Sequence, residues 1–118
     1  MVKDYGHLFA NDPAYASKAK KISDLTKDIS EILSSLQNEL VQLVGSDTKP
    51  GVVYHPPCTL QHGQQIRGKV EGLLTSVGVG VRLCADSHLC CGSAGTYSIT
   101  QPELSEQLRK NKLTHLHA

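Results

Sequence analysis

From Ile22 onward the apolar residues Ile22, Leu25, Ile29, Ile32, Leu33, Leu36, Leu40, Leu43 and Val44 recur at spacings of three and four, with Lys, Asp, Ser, Glu and Gln between them. That period predicts one amphipathic helix from about Lys18 to Val44, with a helix opening upstream at Asp12-Pro13 and a stop at Gly45. The stripe needs cover, so the helix is expected to pack on a sheet, on other helices or on a second copy of the chain. Asp47 to Gly51 is rich in turn formers. Val52, Val53 and Tyr54 then read as a short buried strand ended by Pro56 and Pro57. Thr59 to Ser76 returns to a helical pattern through Leu60, Ile66, Val70, Leu73 and Leu74, with Gly78 as its terminator. Val79, Val81 and Leu83 alternate as a second strand. Thr100 and Glu103 form a capping box around Gln101 and Pro102 that opens a last helix, through about Leu113.

A strand, a crossover helix and a second strand make a βαβ unit with parallel strands. The predicted fold class is therefore α/β, a short parallel sheet flanked by helices and preceded by a long amphipathic helix. Ligand sites in such sheets gather beyond the carboxyl ends of the strands. Cys58 follows the first strand and the adjacent pair Cys90 and Cys91 follows the second, so all three fall on neighbouring loops.

Composition narrows the function classes. The 118 residues fit one domain, with a linker and long helix over 1–50 and a cysteine-bearing region over 51–118. With no Trp and one Phe the core must be aliphatic. Twelve basic against eleven acidic residues leave a net charge of +1, which implies no nucleic-acid partner. No apolar run approaches the roughly 20 residues needed to cross a bilayer, and "MVKDYGHLFANDP" lacks the apolar core of a signal peptide. The expectation is a cytoplasmic protein without a transmembrane segment. In that reducing compartment four cysteines point to metal binding or reactivity before disulfides.

In "YHPPCTLQHG" the prolines stiffen the approach to Cys58, and a helix N-terminus there favours the thiolate, the form that binds metal. In "HLCCGSAGTY" Gly92 and Gly95 either meet a turn requirement or let the backbone approach a cofactor closely. Three converging thiolates suit an iron–sulfur cluster, a zinc ion or thiol redox chemistry. A zinc site would draw on Cys58, His62, His88 and Cys90. Adjacent cysteines fit two corners of one tetrahedron poorly, whereas a multi-iron cluster offers several metal corners. Cys84 reads as a buried small hydrophobe, and His55, His62 and His88 as partners for loop backbone. His115 and His117 read as an exposed tail.

The segments "HPPCTLQHGQQIRG" and "HLCCGSAGTYSITQPELSEQLRKNKL" together resemble the second cysteine-rich, or CCG, domain of glycolate oxidase iron–sulfur subunits. Heterodisulfide reductase B subunits and the iron–sulfur proteins of lactate oxidation share that domain. The family pattern is one cysteine, roughly 31 to 38 residues, Cys-Cys-Gly, and about 34 residues later a further cysteine motif. The 31 residues from 59 to 89 fit the first interval. "VKDYGHLFANDPAYASKA" also looks like the segment that joins the family's two CCG halves. The resemblance implies an iron–sulfur cluster of [4Fe-4S] type in the intact subunit, with Cys58, Cys90 and Cys91 as ligands and Gly92 beside it. It further implies electron transfer from flavin-binding subunits that oxidise glycolate to glyoxylate, with the rest of the iron–sulfur subunit as a second partner. It places the protein in the cytoplasm, at the membrane when a complex holds it there. The last cysteine motif would fall at about position 126, past Ala118. The chain is accordingly expected to be truncated, non-catalytic by itself and short of a full ligand set, so that it holds no cluster alone. Lactate or glycerol-3-phosphate oxidation is the alternative within the family, and a zinc-binding or thiol-redox module the alternative outside it.

Overall fold

The computed structural model describes residues 1–117, which group into two compact units, Met1–Leu36 and Gln37 onward. In the first unit a single 3₁₀ turn, Val2–Asp4, runs into the short helix α1, Tyr5–Leu8, and this packs on α2, Ala16–Leu25. The Ser23 hydroxyl ties the two together, accepting from the Gly6 N–H at 2.8 Å and donating to the Val2 carbonyl at 3.1 Å. Asp12 does not open a helix. Its carboxylate accepts from the N–H groups of Ala14 and Tyr15, closing a local turn, and α2 starts only at Ala16.

The long helix predicted over 18–44 is three helices, α2, α3 (Ile29–Ser35) and α4 (Gln37–Val44). Thr26 leaves the helical region at ψ 119°, and its hydroxyl donates back to the Ile22 carbonyl. Asp28 then caps a new helix. Its carboxylate accepts from the Ser30 N–H at 2.9 Å, while the Glu31 carboxylate accepts from the Asp28 N–H at 2.9 Å. This reciprocal box satisfies donors that a continuous helix would have bonded internally, so the break carries little cost. Lys3 adds an ion pair to Glu31 at 2.8 Å. Much of the apolar stripe stays exposed within this chain, Leu25 at 69% and Ile29 at 71%.

In the second unit α4 ends at Val44, and Gly45 takes φ +76° as a left-handed terminator. Strands β1 (Lys49–Tyr54) and β2 (Val79–Leu83) pair in parallel, with Val52 opposite Val81 and Tyr54 opposite Leu83. This is the predicted α/β arrangement with its two-stranded parallel sheet. The register is irregular between Lys49 and Val52, where Pro50 has no N–H to give the ladder. The predicted helix 59–76 is divided. Thr59–Gly63 is one wide π-helical turn, Gly68 sits at φ +75°, and α5 covers Lys69–Ser76 and packs on β2. The core is small and aliphatic, as composition required: Leu60, Ile66, Leu73, Val77 and Cys84. Burying a residue such as Leu73 stabilises by roughly 1.5–3 kcal/mol.

A short helix α6, Tyr97–Thr100, precedes α7, Pro102–His117, which runs past the expected end at Leu113. Thr100 does not cap α7. Its hydroxyl donates back into α6, to the Thr96 carbonyl. Among the described residues no helix is long and apolar enough to cross a membrane.

Candidate metal centre

The two strands release their chains at the same end of the sheet. After Tyr54 come His55, Pro56, Pro57 and Cys58; after Leu83 come buried Cys84, a turn at Asp86, and then Cys90 and Cys91. Cys58, Cys90 and Cys91 line one cavity of about 420 Å³, together with His55 and Ser93. All three thiols are free; Cys58 is exposed, and Cys90 and Cys91 are half-buried.

Each sulfur is placed by its loop. Cys58 stands at the start of the π-helical turn, where the Pro57 carbonyl accepts from both the Leu60 and Gln61 N–H groups. The predicted long helix behind Cys58 is therefore five residues of wide turn. Cys90 Sγ accepts from the Gly92 N–H at 3.3 Å. Cys91 Sγ lies 3.1 Å from the Ser93 hydroxyl. That hydroxyl, followed by backbone N–H groups at Ser93 and Cys91 and the charge of Lys112, holds the Cys91 thiol below its ordinary pKa against a smaller opposing effect of burial. Donors aimed at a sulfur favour its anionic, ligating form.

Gly92 answers a packing demand. Its φ is +86°, and a Cβ there would run into the carbonyl of Ser105 on the first turn of α7. The Ser105 hydroxyl in turn donates to the Gly92 carbonyl at 2.7 Å. The glycine after the cysteine pair thus lets α7 close against the loop.

Two residues that sequence reasoning passed over hold the loops in register. Gln61, 5% exposed, donates through Nε2 to the Pro56 carbonyl at 3.1 Å and to the Ser87 carbonyl at 2.9 Å, one from each cysteine-bearing loop. Lys112, also 5% exposed, donates from α7 to the Asp86 carbonyl at 2.6 Å. His62 Nε2 meets the His88 carbonyl at 3.1 Å, a second link, beside that of Gln61, between the two cysteine-bearing loops. His55 instead faces Cys84, with Nδ1 3.8 Å from Sγ, and burial, then the charge of Lys112, lower its pKa. His115 and His117 belong to α7, not to a tail, and His115 approaches the Asp86 carboxylate at 3.9 Å.

Among the described residues no three His, Cys, Asp or Glu side chains converge closely enough to hold a single metal ion. The quartet Cys58, His62, His88 and Cys90 is accordingly not assembled as a zinc site, and His62 spends its ring nitrogen on backbone. Three soft sulfurs spread around one cavity instead fit a group with several metal corners.

The sequence profile of the CCG family, described as "Cysteine-rich domain", matches residues 52–118. The chain belongs to this family. The matched region holds the end of β1 from Val52, all of β2, the three cavity-lining cysteines and α7, which are the elements that build the site. Over its whole length the chain is 45% identical to the glycolate oxidase iron-sulfur subunit of Escherichia coli K12, covering 28% of that protein. It is 33% identical over 98% of its length to the protein YkgE of the same strain, and 31% identical over 96% to lactate utilization protein A of Bacillus subtilis 168. These alignments span 48% and 47% of the two relatives. No solved structure matches the chain.

Proposed function

We propose that this CCG domain carries three ligands of an iron–sulfur cluster and serves electron transfer in the iron–sulfur subunit of a glycolate-oxidising flavoenzyme. The observation that carries the reading is the convergence of Cys58, Cys90 and Cys91 on one cavity of about 420 Å³. The whole-chain likeness to the E. coli glycolate oxidase iron-sulfur subunit supplies the substrate class and, through it, a flavin-binding partner. A bound [4Fe-4S] cluster supplies one-electron storage. The chain's own part is to present the three sulfurs on one cavity, to keep the two loops in register through Gln61, and to close the site with α7. The fourth ligand comes from outside the three cysteines identified here, with residues 1–50 as a connecting segment and 51–118 as the ligand-bearing region.

Lactate is the second substrate considered, because lactate utilization protein A is similar over nearly the whole chain. Anaerobic preparation of the full-length subunit with its flavin partner separates these readings. Iron and acid-labile sulfide should be present, and glycolate should reduce the cluster, read by electron paramagnetic resonance. Reduction by lactate alone moves the assignment to the second substrate, and stoichiometric zinc without iron overturns the cluster.

A further inference from the structure

A second cavity, of about 400 Å³, shares His55, Cys91 and Ser93 with the first and is walled further by Gly92, Lys112 and Leu113 among others. Lys112 is the unusual member. A buried ammonium loses its hydration at a cost that only an anion or enough acceptors can offset. Here its Nζ has the Asp86 carbonyl at 2.6 Å and, among the described residues, no carboxylate within 4.0 Å. The Asp86 carboxylate faces His115 instead. The other nearby charges do not replace a counter-ion: Arg109 is a cation already held in two hydrogen bonds by Glu106, and His55 is biased towards its neutral form.

We propose that Lys112 is the built-in counter-charge of the sulfur site, a buried cation whose anionic partner is the Cys91 sulfur and the thiolate-ligated group anchored there. The assignment rests on the cluster reading for that group, but the effect of Lys112 on Cys91 can be tested without it. A fixed positive charge in the cavity that Cys91 lines would stabilise the more negative, reduced state of a bound cluster and so raise its potential.

The test compares two alkylating reagents of similar size, anionic iodoacetate and neutral iodoacetamide, on the reduced, metal-free chain, with Cys91 resolved by peptide mass spectrometry. The ratio of their rates cancels the thiolate fraction and reports the local field. The ratio at Cys91 should fall several-fold in Lys112→Met and be kept in Lys112→Arg; an unchanged ratio in Lys112→Met overturns the proposal. Should Lys112→Met not fold, the wild-type chain decides: the ratio at Cys91 must be higher folded than in urea, and equality overturns the proposal. Iron analysis of the full-length subunit separates the two claims. Absent iron with the ratio effect intact faults the cluster and leaves the counter-charge, whereas iron present with a flat ratio faults the counter-charge alone.

Discussion

Replacing Gln61 with Leu removes a side chain that bonds both cysteine-bearing loops. Two hydrogen bonds are lost, to the Pro56 carbonyl at 3.1 Å and the Ser87 carbonyl at 2.9 Å. Each is worth about 0.5–1.5 kcal/mol net, and a carbonyl left dry costs about 1–3 kcal/mol. Leu fills similar volume in a site that is 5% exposed, so added apolar burial offsets part of the loss. The expected net destabilisation is about 2–3 kcal/mol, a drop in Tm of roughly 10 °C for a domain of this size. Urea unfolding followed by circular dichroism measures it directly. Gln61→Glu sharpens the test, because a carboxylate facing two carbonyl oxygens raises its own folded-state pKa. Its protonated form can still donate, so the variant should be least destabilised below about pH 4.3, the unfolded value, and lose stability as pH rises from there through its raised folded-state pKa. A loss below about 0.5 kcal/mol in Gln61→Leu, or no pH dependence specific to Gln61→Glu, refutes the claim that this side chain holds the loops.

Gly92→Ala forces a side chain into φ +86° and into the Ser105 carbonyl, and should cost about 2 kcal/mol or more in urea unfolding. Ser93→Ala removes the hydroxyl 3.1 Å from Cys91 Sγ, so the Cys91 thiol pKa should rise and alkylation by iodoacetamide at neutral pH should slow in the metal-free chain. Glu31 is held below the usual carboxylate range, chiefly by the Lys3 ammonium and then by the Asp28 N–H. A depressed folded pKa gives stability that is present above the unfolded value and lost as pH falls through the folded one. Helicity measured by circular dichroism should therefore weaken only in acid, and Glu31→Gln should remove that dependence.

The site was legible where its chemistry lies in residue type and spacing. Cys58, Cys90 and Cys91 follow two strands, and a βαβ unit brings those strand ends together, so the thiols could be grouped before any contact was known. Segment breaks were harder to see. Apolar spacing continues from Leu25 to Ile29 as if one helix ran through, and only the Asp28 and Glu31 pair, an Asp-x-x-Glu capping signal, marks the new start. The division at Gln64 to Gly68 has a weaker signal, a glycine at φ +75° in a segment whose leucines keep helical spacing. Gln61 and Lys112 could not be found by pattern. Each looks like an ordinary polar helix position, and its role depends on carbonyls 26 residues away that only the folded chain brings near.

The central claim is that Cys58, Cys90 and Cys91 ligate one multi-iron cluster. It is tested most directly by iron and acid-labile sulfide per chain in the anaerobically prepared full-length subunit, with each cysteine replaced by serine in turn and Cys84→Ala as the control. The account predicts that loss of any of the three lowers iron and sulfide together, while Cys84→Ala, whose side chain does not line the cavity, leaves both unchanged. Iron and sulfide retained in all three serine variants, or zinc in their place, would contradict it.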